Sequence, residues 1–310
     1  MFFSIITSIS AFVLMILFLF FGNTYIPETK NAIMFFLNTI LPTMFPFYVL
    51  SSIIVSSSSI NILTRPLKCV TRLYNLPPQA ACAIFLGIIC GFPIGAKITC
   101  DLLKNNYITQ KEAAILASFT NNASPIFIIS IVGGIYFKDK LHGLLIWLCI
   151  VLSSLLTGLI LTKIYLDKLN SFNNTHTNNI SNKTTIADSI TSALNTSLYV
   201  GAVIIFFSSI TALIKEIPLI NQKIYIVLYS FLEMTGGLNS LFFNNTHELN
   251  LYKYLYTVAI ISWSGLCVHM QIYGILKSSG IKIKYCFIGK ILQTIISIII
   301  YIVFSKFFIK

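Results

Sequence analysis

The sequence predicts an all-α polytopic membrane protein, and two observations support this fold class. Of its 310 residues, 56% are hydrophobic and only 10% are charged, less than half the charged fraction of an ordinary soluble domain. Apolar runs of about 20 residues recur from one end of the chain to the other, and each could cross a hydrocarbon core about 30 Å thick. This composition excludes a soluble globular protein.

Nine apolar segments are predicted helices. They cover approximately residues 3–22, 33–60, 79–96, 113–137, 141–162, 189–214, 224–243, 253–276 and 289–308. No basic region precedes the first run and no A-x-A-like site follows Gly22, so we interpret this run as a retained span rather than a signal peptide.

Two of the nine segments make poor spans. Segment 79–96 ends in GFPIG, and segment 224–243 contains Glu233, followed by Thr235 and two glycines. Polar or non-helical backbone is tolerated at membrane depth only where protein or a water-filled cavity satisfies it. We therefore predict two re-entrant segments and about seven full transmembrane helices.

The distribution of basic residues supports this topology, because lysine and arginine in short loops favour the cytoplasmic side. With seven spans and an inner N-terminus, 13 of the 21 basic residues lie in inner loops. They are Arg65, Lys68, Arg72, Lys97, Lys104, Lys111, Lys163, Lys168, Lys183, Lys277, Lys282, Lys284 and Lys290. Nine full spans would move the loops 97–112 and 163–188 to the outside.

The predicted topology also contains an internal repeat. A span, a re-entrant segment and two more spans occur in this order twice, first beginning outside and then inside. Inverted repeats are typical of secondary transporters, whose substrate sites lie where broken helices meet. We predict an extra N-terminal helix at 1–30, a first repeat at 31–166, a polar linker at 167–188 and a second repeat at 189–310.

The stretch GFPIGAK is the first candidate substrate site. Gly91, Pro93 and Gly95 are expected to break the helix and expose backbone N–H groups, which bind anions at the start of a half-helix. Lys97 would stand beside those groups. The alternative is an interfacial turn with a lysine that reaches the membrane surface.

The stretch TNNASP is the second candidate. Asn121, Asn122 and Ser124 lie in the front of segment 113–137, where polar side chains are costly unless they face protein or water. They are predicted to line the substrate pathway. The alternative is that they only hold helices together by interhelical hydrogen bonds.

The second half contains corresponding polar positions. The candidate substrate-binding residues there are Glu233, Thr235, Ser262, Ser264, His269 and Gln271. A carboxylate within a membrane segment is by default a functional hypothesis, although a structural pairing of Glu233 with Thr, Ser or His remains open. For His269 a buried hydrogen-bonding role is favoured over a proton relay.

Other function classes lack their motifs. The sequence has no P-loop, HExxH or GxSxG, so no enzyme is predicted and no cofactor is implied. The seven cysteines form no CxxC pair and the four histidines have no ligand spacing, so no metal site is predicted. The net charge of +12 comes from dispersed residues and indicates membrane topology rather than nucleic-acid binding.

Four stretches together resemble the sporulation integral membrane protein YlbJ family, which carries the nucleoside-recognition Gate domain. They are ILPTMFPFYVLSSIIV (40–55), LGIICGFPIGAKITCDLLKNNYITQKEAAILASFTNNASPIFIISIVG (86–133), LEMTGG (232–237) and SGLCVHMQIYGILKSSGI (264–281). The resemblance covers nearly the whole chain, and GFPIGAK through NNASP is its specific part. It implies that the two repeats are Gate-like and that ligands bind between re-entrant hairpins and broken helices.

The resemblance also implies a function in endospore formation. The expected substrate is dipicolinate, a small aromatic dianion, moved from the mother cell across the outer forespore membrane. The alternatives are a nucleoside or nucleobase transporter and a non-transporting membrane scaffold for sporulation. The expected partners are the anionic substrate and the lipid bilayer, without nucleic acid, and the question of a homo-oligomer stays open.

Overall fold

A computed structural model describes residues 2–57, 59–166, 185–216, 221–243 and 251–308, and within these ranges all regular structure is helical. In chain order the helices are α1 (Phe2–Phe20), α2 (Gly22–Phe35), α3 (Leu41–Ser56), α4 (Ile60–Thr64), α5 (Lys68–Leu73), α6 (Ala80–Cys90), α7 (Ile94–Lys104), α8 (Gln110–Phe119), α9 (Lys140–Tyr165), α10 (Ile186–Ile214), α11 (Gln222–Leu232), α12 (Met234–Phe243), α13 (Leu251–Trp263), α14 (Gly265–Lys277) and α15 (Lys284–Phe308). Two further segments, Phe36–Ile40 and Phe127–Phe137, are π-helical.

Five helical stretches are long and apolar enough to cross a membrane. They are Gly22–Ser56, which joins α2 and α3, then Lys140–Tyr165, Ile186–Ile214, Leu251–Lys277 and Lys284–Lys306. The prediction of an all-α polytopic membrane protein is confirmed at this level. The predicted domain boundary at residue 30 lies inside the continuous helix Gly22–Ser56.

The long helices turn apolar side chains outward and small polar ones inward. On α9, Leu148, Leu152 and Leu156 repeat every four residues and are 41%, 40% and 43% exposed. On another face of the same helix, Ser153 and Ser154 are fully buried. A helix in water would place these residues the other way round. The outer surface is therefore suited to lipid, and helix packing uses small hydroxyl residues.

Four of the predicted segments are interrupted helices. Segment 79–96 becomes α6 and α7, separated at residues 91–93, and segment 224–243 becomes α11 and α12, separated at Glu233. Segment 113–137 becomes α8 and the π-helical Phe127–Phe137, separated by the TNNASP stretch. Segment 253–276 becomes α13 and α14, separated at Ser264. The fourth interruption was not predicted, although Gly265 after Ser264 was a readable signal for it.

The glycines near the breaks have a different role from the predicted one. Gly236 and Gly237 lie inside α12, where a Cβ atom would meet the Tyr229 ring at 2.3 Å and the Ser230 Cα at 2.4 Å. Gly95 likewise lies inside α7, where a Cβ would come within 2.2 Å of the Thr120 carbonyl oxygen. These three glycines permit close packing of helices and do not break them. Gly91, with φ of +88°, does occupy a break.

The interrupted helices pack against long helices that cross the whole bundle. Helix α7 contacts α3, α8 and α14, and α10 contacts α2, α3 and α14. Helix α15 contacts α8, α9 and α13, so it joins the last helix of the chain to the elements of the first half. The polar breaks are thereby surrounded by protein.

Two residues that the topology count placed in loops lie inside the bundle. Lys97 is 4% exposed in α7 and Lys290 is 2% exposed in α15. Because α7 begins at Ile94 and α15 at Lys284, Lys97 and Lys290 lie inside helices. They therefore do not count among the loop charges that orient the chain in the membrane. The other basic residues of that count in the described ranges are not buried.

Helix α10 begins earlier than the predicted residue 189, because a capping box fixes its start. The Thr185 hydroxyl accepts a hydrogen bond from the Asp188 N–H at 3.1 Å, and the Asp188 carboxylate accepts one from the Thr185 N–H at 2.9 Å. The predicted linker at 167–188 falls mostly on residues 167–184, which lie outside the described ranges.

Candidate functional site

The break between α6 and α7 fits against the break between α8 and Phe127–Phe137. Helix α6 ends at Cys90, and α7 begins at Ile94 after a cis Phe92–Pro93 peptide bond. A Cβ on Gly91 would lie 2.9 Å from the Ser124 nitrogen, so only glycine allows this approach. The GFPIGAK and TNNASP stretches, predicted as separate sites, are therefore in direct contact.

Asn121 caps the start of α7 from the neighbouring helix. Its side-chain Oδ1 accepts a hydrogen bond from the Ala96 N–H at 2.9 Å, and its Nδ2 donates to the Ala117 carbonyl at 2.8 Å. The Phe92 N–H donates to the Asn122 carbonyl at 2.7 Å. A helix start leaves several N–H groups without helical partners. Here two of the N–H groups that were expected to bind a substrate anion are bonded to TNNASP.

Asn122 connects three helices at the centre of the bundle. Its Nδ2 donates to the Ser154 hydroxyl of α9 at 3.0 Å, and its Oδ1 accepts from Nε2 of Gln293 in α15 at 2.8 Å. Gln293 Oε1 in turn accepts a 3.1 Å hydrogen bond from Nζ of Lys290. All four side chains are buried. This arrangement matches the interhelical alternative for Asn122 while leaving its predicted substrate role untested.

Lys97 forms a buried ion pair within α7. Its Nζ lies 2.7 Å from Oδ1 and 2.5 Å from Oδ2 of Asp101, one helical turn later. The two residues are 4% and 7% exposed. Because the carboxylate neutralises the ammonium, a substrate anion would have to compete with Asp101 for Lys97. Lys97 and Asp101 are four residues apart in the sequence, a spacing that could have predicted this ion pair on one face of a helix.

Glu233 forms the break between α11 and α12 and caps α12. Its backbone is extended, with φ of −141° and ψ of 121°. Oε1 accepts hydrogen bonds from the Thr235 N–H at 2.9 Å and hydroxyl at 2.5 Å, and Oε2 accepts from the Gly236 N–H at 2.5 Å. The Glu233 carboxylate thus binds the N-terminus of α12, which is the positive end of the helix dipole. A substrate carboxylate could bind in the same way at a helix start that has no such cap.

The break at Ser264 lies against Glu233, as the break at Gly91 lies against Ser124. Ser264 has a φ of +70° and Gly265 a φ of +75°, and a Cβ on Gly265 would lie 3.0 Å from the Met234 nitrogen. Nearby, Ser297 of α15 donates a 2.9 Å hydrogen bond to the hydroxyl of Ser262. Ser262 and Ser264 are fully buried, so they stabilise the break region from within the protein.

A cavity of about 220 Å³ lies beside the second pair of breaks. Its polar lining comes mainly from Glu28, Asn31, Tyr229, Glu233, Asn239 and Gln271. Phe92 of the first break and residues of α2, α10 and α14 also line it. Of the predicted site residues, the cavity collects Glu233, Thr235 and Gln271. Its two charged lining residues are both acidic.

The remaining predicted site residues are not among those that line this cavity. Gly91, Pro93, Gly95, Lys97, Asn121, Asn122, Ser124, Ser262, Ser264 and His269 do not line it. Most of them form the two contacts between breaks described above. The structure therefore divides the predicted site into a central polar core and a separate cavity.

Sequence reasoning missed two groups of residues. Glu28 and Asn31 line the cavity from α2, but they lie in the polar stretch between the predicted segments 3–22 and 33–60, where their polar character was no signal of a site. Lys290 and Gln293 lie three residues apart inside the last apolar segment, a spacing that places both on one helix face. Among the described residues, no three His, Cys, Asp or Glu side chains are grouped so as to hold a metal ion.

Comparison with known proteins supports the resemblance noted in the sequence. The chain is 26% identical over 302 residues to the sporulation integral membrane protein YlbJ of Bacillus subtilis (strain 168), with 86% of this chain and 74% of that protein covered. No protein-family model matches the chain. No solved structure matches it. The similarity to YlbJ confirms the resemblance to the YlbJ family.

Proposed function

We propose that this chain, a relative of the sporulation integral membrane protein YlbJ, is a membrane transporter that acts in endospore formation. Its proposed substrate is dipicolinate, moved from the mother cell across the outer forespore membrane, as the family resemblance implies. The observation that carries the proposal is the meeting of interrupted helices in pairs, Gly91 against Ser124 and Gly265 against Met234. Interrupted helices surrounded by protein are the usual construction of transporter sites.

The proposed topology has seven full spans and two re-entrant hairpins. Helices α6 and α7 have 11 residues each. At 1.5 Å per residue, each is about 16 Å long, roughly half the thickness of a hydrocarbon core. A hairpin of two such helices enters the membrane, turns near its middle and returns to the same side. Helices α11 and α12, with 11 and 10 residues, have the same proportions.

The same element order supports an inverted repeat. A long helix, a short hairpin, an interrupted helix and a second long helix occur in the first half as α2–α3, α6–α7, α8 to Phe137 and α9. The order recurs as α10, α11–α12, α13–α14 and α15. Since the first repeat contains three full spans, an odd number, and its hairpin returns to the same side, the second repeat starts on the opposite side from the first. We therefore propose that the two repeats have opposite orientations in the membrane.

Transport by the purified chain is the direct test of this function. Proteoliposomes that contain only this protein should take up labelled dipicolinate in a time-dependent and saturable manner. Liposomes without protein provide the baseline, and excess uridine should not compete. If uridine enters and dipicolinate does not, the substrate proposal is wrong. If neither enters under any imposed ion gradient, a non-transporting scaffold is favoured.

A nucleoside or nucleobase is the second candidate substrate, and the cavity favours it. The cavity offers an acid, Glu233, together with the amides of Asn31, Asn239 and Gln271. These groups suit a neutral ligand that both donates and accepts hydrogen bonds. A dianion would meet the Glu233 carboxylate there, while the Glu28 carboxylate is paired with Lys215 at 2.8 Å. The proteoliposome competition described above separates the two substrates.

A further inference from the structure

Lys290 is a buried lysine without an acidic partner in the part of the chain that the structure describes. It is 2% exposed, and its Nζ donates to Gln293 Oε1 at 3.1 Å. The ion pairs among the described residues are Lys97 with Asp101 and Lys215 with Glu28. A charged side chain within a membrane bundle is costly and commonly marks a substrate or ion pathway.

The acids of the described ranges are committed elsewhere or lie nearer the surface. Asp101, the one acid among the described residues that is buried, is bonded to Lys97. The Glu233 carboxylate is bonded to the start of α12. A counter-charge for Lys290 is therefore missing from the described side chains, and an anion from outside could supply it.

His269 is a second buried polar group in the same region. It is 4% exposed, and neither ring nitrogen makes a hydrogen bond of standard geometry to a described residue. Its ring lies between those of Trp263 and Phe287, with centroid distances of 4.5 Å and 4.7 Å. Phe287 precedes Lys290 by three residues on α15, so the two share a helix face. Through Phe287, His269 therefore contacts the face of α15 that carries Lys290.

These two residues lie on the opposite side of α14 from the cavity. Cys267, Val268 and Gln271 line the cavity, whereas His269 does not. At about 100° per residue, His269 points roughly 150° away from the mean direction of those three. No residue of α15 lines the cavity. The Lys290 region is thus a separate place in the fold.

Lys290 is connected to the central break by a short chain of hydrogen bonds. Gln293 accepts from Lys290 and donates to Asn122 at 2.8 Å, and the Asn122 carbonyl accepts from the Phe92 N–H. Phe92 lies in the first break and lines the cavity. A ligand charge at Lys290 would act directly on the residues that hold the two breaks together.

We propose that Lys290 and His269 bind a carboxylate group of the transported anion, on the side of α14 opposite the cavity. The ammonium supplies the counter-charge and one imidazole nitrogen supplies a hydrogen bond. This inference rests on the proposed function, because it identifies where an anionic substrate finds its cation. Lys97 already has Asp101, so Lys290 is the buried lysine of the described residues that can serve an incoming carboxylate without losing an ion pair.

Equilibrium binding to the purified protein in nanodiscs tests the site. The probes are dipicolinate, benzene-1,3-dicarboxylate and the neutral pyridine-2,6-dicarboxamide. Wild-type protein should bind both dicarboxylates and bind the dicarboxamide at least tenfold more weakly. Lys290→Gln keeps a donor for Gln293 and deletes the charge, so its affinity for dipicolinate should fall about tenfold to a hundredfold. His269→Gln should weaken binding to a smaller extent.

Two control variants separate this site from general charge effects. Lys277→Gln changes an exposed lysine at the end of α14 and should bind dipicolinate like the wild type. Lys290→Arg keeps the charge and should retain more affinity than Lys290→Gln. The melting temperature of Lys290→Gln without ligand should equal or exceed that of the wild type, since an uncompensated buried charge is removed. A purely structural lysine would give a lower melting temperature.

The outcomes distinguish this inference from the proposed function. Normal dipicolinate affinity in Lys290→Gln overturns the site, even if wild-type proteoliposomes transport dipicolinate. If the wild type binds neither dipicolinate nor benzene-1,3-dicarboxylate, the proposed site is also overturned. Binding that depends on Lys290, in protein that moves no dipicolinate into proteoliposomes, supports the site and contradicts the transport function.

Discussion

The side chain of Gln293 in α15 donates a 2.8 Å hydrogen bond to the side chain of Asn122 in the TNNASP break. The bond joins residues 171 positions apart and is fully buried. It connects the last helix of the chain to the centre of the first half. Several of the expected effects of mutation follow from this and neighbouring contacts.

Asn122→Ala should destabilise the protein, because it removes the hydrogen bonds of Asn122 to Ser154 and Gln293, although Gln293 keeps a 3.3 Å bond to the Ile150 carbonyl and Ser154 a 2.9 Å bond to the Phe119 carbonyl. Each lost hydrogen bond contributes about 0.5–1.5 kcal/mol, so a drop in melting temperature is expected in detergent. Asn61→Ala, at an exposed asparagine, is the matched control and should have little effect. An unchanged melting temperature in Asn122→Ala would show that these hydrogen bonds add nothing to stability.

Gly95→Ala should strongly reduce the amount of folded protein. The new methyl group would lie 2.2 Å from the Thr120 carbonyl oxygen, which is backbone and cannot rotate away. We expect α7 to move off the TNNASP break, with a loss of stability of about 1–3 kcal/mol or more from overpacking. Gly22→Ala is the control, since its nearest contact would be a side-chain carbon at 3.7 Å. Membrane yield and monodispersity after extraction measure both variants.

Lys97→Met should destabilise the protein by about 3–5 kcal/mol, because Asp101 is left buried and unpaired. The double variant Lys97→Met with Asp101→Leu should recover most of that loss. Lys104→Met, at an exposed lysine of the same helix, is the control. Thermal unfolding of the wild type, the two single variants Lys97→Met and Asp101→Leu, and the double variant gives the coupling free energy.

The same double variant also tests the sequence-based prediction that Lys97 holds the substrate anion. If Lys290 is the residue that binds the substrate anion, the double variant Lys97→Met with Asp101→Leu should transport dipicolinate with near-normal apparent affinity. A tenfold to hundredfold loss of affinity in that variant, at matched protein level, would instead support Lys97 as the anchor.

Cysteine labelling from either side of the membrane tests the re-entrant hairpin α6–α7. The exposed native Cys69 precedes the hairpin, and Lys104→Cys in a Cys69→Ser background follows it. Both should react with an impermeant thiol reagent from the cytoplasmic side. Lys140→Cys should react from the opposite side. If Cys69 and position 104 are labelled from opposite sides, segment 79–96 is a full span.

Glu233→Gln tests whether a dianion passes through the cavity. Removing a like charge from the lining should lower the half-saturating dipicolinate concentration, by roughly tenfold if the substrate approaches closely. Glu216→Gln changes an exposed acid outside the cavity and is the control. A rise in the half-saturating concentration would mean that losing the Glu233 cap of α12 weakens substrate binding more than removing the Glu233 charge strengthens it. If uridine competes with dipicolinate in the wild type but not in Glu233→Gln, the nucleoside alternative is favoured.

The sequence predicted where the chain is interrupted better than it predicted what the interruptions contact. Glycine, proline and a lone Glu233 in apolar runs are local signals, so the breaks at 91–93 and Glu233 could be read directly. The cap of α7 by Asn121 depends on a side chain 25 residues further along, which no local pattern encodes. Lys290 was read as a loop charge because the start of an apolar run does not fix the start of a helix.

The two hairpins differ in the origin of the group that caps their second helix. Asn121 belongs to a neighbouring helix, so α7 and the TNNASP segment cannot separate without uncapping α7. Glu233 directly precedes α12 in the chain, so the cap of α12 does not depend on a neighbouring segment. A substitution in a segment remote in sequence can therefore uncap α7, whereas the described cap of α12 is lost with Glu233 itself.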